Sequence, residues 1–477
     1  MRQTSPITHL RHGNTSHCRV LPGHIRIVIN PNGATIVIES DAQQSTTRTD
    51  RTDASRHYAG HQIREQVRGT PRCASNPGYF GAPTVDRATE EANVPHPTHV
   101  TIAGAGMGGL AAALTLHARG FGVTVLEQAT QVRALGVGIN LLPHAVREFY
   151  TLGLGAALEQ IAVAPHSIGF YDTGGELLFR EPRGIEGGYG YPQFSVHRGR
   201  LQLLLLHAVR DRLGAGAVRT ASAVVGFTEA AGRVRVRVQG TEAAMVTDVL
   251  VGADGLHSAV RAQLHPHDTV QWSGVRMWRG ATRMRPFLDG RTMAIIKGNN
   301  GVELVTYPIG PQLVNWVVQV REAPAGPLSG DARWNAPGDP ADVLRHTARW
   351  RPGWLDVAQL VAGAESIFEY PMVDRDPLPT WGRGRVTLLG DAAHPMYPIG
   401  SNGGSQAIVD AAALADHLSV DLAHGLRRYE DERRPATADI VAANRAMHRA
   451  GATDPIQLAA VTGRYRHQTL ADHCRGA

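Results

Sequence analysis

Lysine is almost missing from this 477-residue chain: Lys297 is the only one among 48 basic residues, and the others are arginine. Schiff-base or other lysine-dependent chemistry must therefore use Lys297 or is excluded. It lies in Ala294-Ile-Ile-Lys297-Gly-Asn-Asn-Gly301, read as a strand entering a turn, where a solvated side chain is expected. Cysteine is scarce too. Cys18, Cys73 and Cys474 are far apart and form no CxxC, which excludes a disulfide scaffold or a cysteine-built zinc site and fits a reducing compartment. The 23 histidines show no HExxH or comparable spacing, so no metal is expected. Blocks of like charge are absent as well. The net charge of +6 is spread over interspersed acids and bases, with no basic stripe for nucleic acid. An arginine-only choice reads as GC-rich coding.

Long apolar runs are the last absence. Met1 to about Gly23 is interrupted throughout by His and Arg, so no signal peptide is read there. The longest uncharged stretch, Val100 to Leu116, carries a glycine cluster at its centre and reads as strand, tight turn and helix rather than a membrane span. A soluble, cytoplasmic protein without a membrane partner is expected. Oligomeric state is not legible.

What is present is α/β texture after a polar beginning. Residues 1–95 are rich in Thr, Ser, His and Arg and poor in leucine. They read as a poorly structured, dispensable extension with one candidate hairpin over Ile25–Ile38 around Asn32-Gly33. From Val100 on, strands are expected at Val100–Ala103, Val123–Glu127, Val249–Ala253 and Val386–Leu389. Helices are expected at Gly108–Arg119, Leu201–Leu213 and Gly403–His417, with helical signals to about Ala452. Ala223–Val238 alternates like a hairpin, and Gly274–Val320 holds several runs fitting an antiparallel sheet with one buried face.

Three motifs carry chemistry. Gly104-Ala-Gly106-Met-Gly108-Gly109 follows a strand and opens a helix. Its glycines permit a tight turn, close approach of a pyrophosphate and close helix–strand packing, and the helix N-terminus offers free N–H groups. Glu127, 18 residues beyond Gly109, ends the next strand, where an acid suits ribose hydroxyls. The second motif, Val249-Leu-Val-Gly-Ala-Asp254-Gly255 with Ser258 and Arg261, would alone be an ordinary strand-to-turn transition. The third is Gly390-Asp391-Ala-Ala-His394-Pro395, continuing through Pro398 and Gly400 to Asn402-Gly403-Gly404 and on to Asp410. A strand delivers Asp391 to a loop edge, and the following helix N-terminus can stabilise negative charge.

In this order and spacing the motifs resemble the class A flavoprotein monooxygenases, the aromatic hydroxylases of the p-hydroxybenzoate hydroxylase fold. The resemblance covers about Thr98 to Ala477. Ser195-Val-His-Arg198-Gly-Arg200-Leu-Gln202 and Tyr429-Glu-Asp-Glu-Arg-Arg434-Pro435 agree with it. Val132-Arg133-Ala-Leu-Gly136-Val-Gly138-Ile-Asn140, Met277-Trp278-Arg279-Gly280, Tyr370-Pro-Met-Val-Asp-Arg-Asp-Pro-Leu378 and Met396-Tyr-Pro-Ile-Gly-Ser-Asn402 are similar to the phenazine-modifying subgroup typified by 5-methylphenazine-1-carboxylate 1-monooxygenase.

The resemblance implies a Rossmann-like FAD-binding domain (about 98–165, 195–265 and 370–440) interleaved with a β-rich substrate part (about 166–194 and 270–369), and C-terminal helices over 441–477. It implies that Gly104, Gly106, Gly108 and Gly109 hold the FAD pyrophosphate and that Glu127, beside Gln128, holds the adenosine ribose. Arg133 lies near the flavin, Arg198 reaches FAD with Gln202 one turn on, and Val224 flanks the adenine. Asp254 serves FAD and nicotinamide, and Asp391 the ribityl chain. Pro398, Gly400, Asn402, Gly403 and Gly404 lie along the isoalloxazine. Arg200 and Arg261 are expected to be surface ion pairs. The implied reaction uses NADH or NADPH and O₂ to hydroxylate a small aromatic substrate, phenazine-like or phenolic and carboxylated, through a flavin C4a-hydroperoxide. No catalytic side chain beyond the cofactor is implied. Trp278, Tyr307, Trp316 and Tyr397 are candidates to line the substrate site, and Arg279 to hold a carboxylate. The alternatives are a flavin oxidoreductase without ring hydroxylation and a non-catalytic flavoprotein.

Overall fold

A computed structural model describes residues 97–451 apart from Leu135 and 331–335, together with Ile456, Gln457 and Ala460. The chain divides into Met1–Glu90 and Glu91–Ala477, and all described residues belong to the second unit. The expected hairpin over Ile25–Ile38 and the reading of residues 1–95 lie outside them.

In chain order the first elements are β1 (His99–Ala103), α1 (Met107–Ala118), β2 (Gly122–Leu126), β3 (Gly138–Leu141), α2 (Pro143–Thr151) and α3 (Gly155–Glu159). Next come β4 (Ala162–Val163), β5 (Ser167–Tyr171), β6 (Leu177–Pro182), β7 (Phe194–His197), α4 (Arg198–Leu213) and β8 (Val218–Arg219). Then follow β9 (Val224–Ala230), β10 (Arg233–Val238), β11 (Met245–Thr247), β12 (Val249–Gly252), α5 (Ala259–Leu264) and β13 (Val270–Thr282). The remainder are β14 (Thr292–Lys297), β15 (Val302–Gly310), β16 (Leu313–Arg321), β17 (Gly326–Pro327), β18 (Ala336–Pro337), α6 (Pro340–Thr347), α7 (Val357–Ala362), β19 (Ala364–Arg375), β20 (Val386–Leu388), α8 (Asn402–Val420) and α9 (Gly425–Ala450).

The parallel sheet runs β20-β12-β1-β2-β8. Its strands are short and apolar because both faces are covered: Val100, Thr101, Ile102 and Ala103 are all buried. Helix α1 is apolar all round, as a helix sandwiched between this sheet, α4 and α8 must be. Helix α4 begins at Arg198, three residues before the expected Leu201, because the His197 ring accepts from the N–H groups of Gly199 and Arg200 and caps it.

The second large sheet runs β18-β19-β13-β16-β15-β14-β5-β6, with β17 also on β13. The expected antiparallel sheet is present over Gly274–Val320, with two differences: its central strands are buried on both faces rather than one, and β14 pairs β5 in parallel. Strand β5 lies far upstream, so no tight hairpin constrains its direction. Lys297 also departs from expectation. It is the last residue of β14, its side chain is only 12% exposed and it pairs with Glu303. The hairpin register sets Lys297 directly opposite Glu303, which draws the ammonium out of solvent.

One buried carboxylate joins the parallel sheet to the C-terminal helices. Asp410, fully buried on α8, accepts from the Gly390 backbone N–H at 3.1 Å, from His394 Nε2 at 2.5 Å and from Arg433 Nε of α9 at 2.8 Å. Burial opposes the charge, but His394 and Arg433 hold the Asp410 carboxyl below its ordinary value. A carboxyl depressed in the folded state stabilises the fold above its unfolded pKa and loses that contribution as pH falls through the folded one. Asp410→Ala should cost about 3–5 kcal/mol by leaving Arg433 buried without its anion. The gap in unfolding free energy between wild type and Asp410→Asn should narrow below about pH 4, as followed by urea denaturation. A gap independent of pH would refute the assignment.

Candidate active site

The glycine turn leaves β1 and enters α1. Gly104 takes φ +100°, and a Cβ there would stand 2.5 Å from the Ala253 carbonyl oxygen. A Cβ on Gly109 would stand 2.0 Å from the Gly104 oxygen, so only glycine lets the helix close on the strand. Gly106 differs. A Cβ there would meet no atom within 4 Å, so this side of the turn faces open space. Gly106 is also the N-cap of α1, which has no side-chain cap and no acid in its first turn.

A second helix start meets the first. The loop after His394 passes exposed Pro398, then Gly400 and Ser401 at φ +71° and +63°, and enters α8, again with no side-chain cap or acid in its first turn. Left-handed backbone at a serine costs on the order of 1 kcal/mol and marks a constrained site. A Cβ on Gly404 would lie 3.1 Å from Met107 Cε, so the α1 and α8 N-termini are neighbours. Gly108 sits between Leu389 and Ala407, where the two helices pack.

Asp391 and Arg198 stand beside these helix ends. Both side chains are reached by solvent, yet desolvation is the leading influence on each. Accessible charge closely surrounded by protein defines a crevice. Desolvation raises the Asp391 carboxyl, while His394 and Arg198 pull it down. Desolvation and then Arg279 lower the Arg198 guanidinium, and Asp391 opposes them. Gly403 borders the group, its Cβ direction ending 3.8 Å from Asp391 Oδ1.

The other predicted residues fall into three groups. The first lies around the glycine turn. Glu127, one residue past β2, accepts from the Ala105 N–H and the Ala129 N–H at 2.8 Å each, and its oxygens keep further lone pairs. Gln202 donates to the Ala105 carbonyl at 2.8 Å, tying α4 to the turn. Val224 opens β9, just after Ser222 donates to the Glu127 carbonyl at 2.7 Å. The second group braces the crevice from behind. Asp254 accepts from the Ala259 and Val260 N–H groups at the start of α5, with desolvation raising its carboxyl. Asn402 is fully buried, facing Gln406 and the Gly400 carbonyl. The third group stays outside: Gln128 and Arg133 are exposed, and Arg133 donates only weakly, to Gln131 at 3.4 Å.

Three expectations need correction. Arg261 is no surface ion pair. It is 2% exposed, bonds Asp268 at 2.7 Å and donates to the carbonyls of Ala392 and Ala393 at 2.9 and 2.8 Å, next to Asp391. Trp278 and Trp316 do not line the crevice. Both belong to the core that the large sheet shares with α6 and α7, and their indole N–H groups donate to Glu369 and Thr282. Strand alternation then puts Met277, Arg279 and Val317 on the opposite face. Tyr307 and Tyr397 are buried away from that core, Tyr397 beside Met277, Tyr370 and Met372.

A family model described as an FAD binding domain matches residues 97–444. The phenazine 1,6-dicarboxylic acid hydroxylase PhzS of Lysobacter antibioticus is 48% identical over 394 residues, covering 77% of this chain and 96% of that protein. This chain belongs to the FAD-binding flavoprotein monooxygenases. The 3-hydroxybenzoate 6-hydroxylase 1 of Aquipseudomonas alcaligenes is 32% identical over 358 residues, covering 72% of this chain and 86% of that protein. Among solved structures, a variant of Klebsiella pneumoniae HpxO complexed with FAD superposes with TM-score 0.65 at 25% identity, covering 78% of this chain and 94% of that one. FAD is therefore the cofactor, with NAD(P)H as the co-substrate typical of the family, and the expected aromatic monooxygenase class holds. No helix among the described residues is long and apolar enough to cross a membrane.

The residues present fit the cofactor. Open space at Gly106 before an uncapped helix suits a phosphate, and a desolvated carboxylate with no hydrogen-bond partner among the described residues suits a polyhydroxyl chain. Gly106→Val should separate these roles. It should leave the melting temperature nearly unchanged, because its Cβ direction is open, and lower flavin uptake at least about tenfold, read from visible absorbance of the purified protein. Full flavin content would remove Gly106 from the phosphate site.

Proposed function

We propose that this enzyme hydroxylates a carboxylated aromatic ring of the phenazine class, with NADH or NADPH as reductant, in the cytoplasm. The observation that carries the reading is the convergence of two uncapped helix N-termini with Asp391 and Arg198. The relative that acts on phenazine 1,6-dicarboxylic acid, at 48% identity, favours the substrate class.

On this reading Gly104, Gly106, Gly108 and Gly109 receive the pyrophosphate on the α1 amides. Glu127 offers its remaining lone pairs to the adenosine ribose, and the start of β9 at Val224 flanks the adenine. Asp391 accepts from the ribityl hydroxyls. Pro398, Gly400, Gly403 and Gly404 present backbone to the ring system, and the α8 N-terminus favours negative charge there. Arg261 and Asn402 act as positioning residues, one holding the carbonyls after Asp391 and the other the Gly400 turn. Bound FAD supplies the redox chemistry, accepting hydride and activating O₂ to transfer one oxygen atom to the ring. The protein orients the ring and keeps water out.

The test is the purified enzyme itself. It should be yellow, and phenazine-1-carboxylate should accelerate NADH or NADPH oxidation with a hydroxylated product seen by mass spectrometry. A colourless protein that takes up no FAD would overturn the reading. Accelerated oxidation with all electrons recovered as H₂O₂ would make the compound an effector rather than a substrate.

A further inference from the structure

Arg279 lies on β13, on the face of the large sheet turned away from the Trp278 and Trp316 core. Its Nη2 donates to the Gly138 carbonyl at 2.8 Å, and its guanidinium sits 5.7 Å from the centre of the Tyr370 ring. Its Nε is buried with no hydrogen-bond partner. None of the groups nearest it carries a formal negative charge: Arg198 is a like charge, and Tyr370 and Tyr307 favour the cation only as phenols. Among the described residues no carboxylate stands within ion-pair distance of Arg279. A half-buried guanidinium with a buried, unpaired Nε keeps donor capacity that an anion can use.

A second orphan donor lies on the same face. Asn315 on β16 is fully buried, its Oδ1 accepts from the Gly138 N–H at 2.7 Å, and its Nδ2 has no partner. Register makes the two residues neighbours. Asn315 pairs with Ala281, two residues from Arg279, and also with Tyr307 on β15. The Tyr307 hydroxyl faces Asn140 and Asn315. Both orphan donors are thus fixed by the backbone of one residue, Gly138, and flanked by a phenol. An aromatic carboxylate matches this set, with oxygens for the donors and a flat apolar body for the aromatic and Met surfaces nearby.

We propose that Arg279 and Asn315 form the anchor that reads a carboxylate on the aromatic substrate and so determines specificity. This rests on the substrate class proposed above. A reduced flavin or an FAD phosphate is the other anion that Arg279 could serve, and the two sources are separable by experiment.

The test uses FAD-loaded enzyme without reductant, titrated with phenazine-1-carboxylate or its uncharged carboxamide, with perturbation of the flavin spectrum reporting binding. Wild type should prefer the carboxylate. Arg279→Gln should weaken carboxylate binding by about 10- to 100-fold, the range of a charge-assisted hydrogen bond, and alter carboxamide binding by less than about threefold. Asn315→Asp keeps the acceptor for the Gly138 N–H and replaces the orphan donor by a negative charge. It should abolish the preference even if Arg279→Gln folds poorly. Equal weakening of both ligands by the variants would overturn the anchor. So would weaker FAD retention with the carboxylate preference intact, which would assign Arg279 to the cofactor. Selective carboxylate binding by an enzyme that hydroxylates no aromatic would support the anchor and sink the proposed reaction instead.

Discussion

The site depends first on the carboxylate of Asp410. It is fully buried, an arrangement that is stable only when every lone pair is used and the charge is balanced. The Gly390 N–H, His394 and Arg433 meet that demand, and in doing so they fix three stretches of chain against one another: the turn after β20, α8 and α9. The turn after β20 is held at Gly390, where φ is +61°, so Asp391 leaves the strand in one direction. Arg433 also donates to Gln406, and Gln406 donates to Asn402, carrying the constraint to the first turn of α8. From the other side Arg261 grips the carbonyls of Ala392 and Ala393. The carboxylate that faces the crevice is aimed by a carboxylate that does not.

Charge in the crevice is arranged differently from charge in this brace. Behind the surface, Arg433 and Asp410 meet within 2.8 Å and Arg261 meets Asp268 at 2.7 Å. In the crevice, Arg198 and Arg279 influence each other while Asp391 is the acid near Arg198, and the helix N-termini of α1 and α8 add positive potential. Such a site is organised for an anion before one arrives. Its residues gain little from each other, and Arg279 is held in place by the Gly138 carbonyl rather than by an acid.

The parallel-sheet half was the more legible in sequence. A glycine turn between strand and helix is dictated by close backbone contact, which leaves a residue-type signature at Gly104 and Gly109. The strands and helices expected in this half are present, and their ends moved where a local cap acted, as His197 did for α4. The large sheet was less legible for a physical reason. Its central strands are buried on both faces, so Met277, Trp278 and Arg279 or Trp316 and Val317 show no apolar–polar alternation to say which side faces the cofactor. Aromatic size favoured the two tryptophans, but their indole N–H groups found partners in the far core. In sequence Arg261 reads as a surface ion pair because an arginine in a short surface-like helix resembles a solvated one. Its burial follows from Asp268 and the Ala392 turn, contacts between distant parts of the chain. Asp410 was in plain view within the third motif but has no local pattern to distinguish it from a helix-surface acid.

Gly138 connects these two halves. Its N–H and carbonyl, on a strand paired to β7 just before the cap of α4, hold Asn315 and Arg279 of the large sheet. A Cβ on Gly138 would stand 2.7 Å from the Asn315 Cβ, so the approach of the two sheets requires glycine here. The groups that favour an anion on the large sheet are therefore oriented by a strand of the half that carries the cofactor crevice. Moving that strand would shift Arg279 and Asn315 together, because both are bonded to one residue. The spacing between Arg279, Asn315 and that strand is thus set by two hydrogen bonds to the Gly138 backbone. Side chains elsewhere on the large sheet can change the shape of the substrate site without disturbing that spacing.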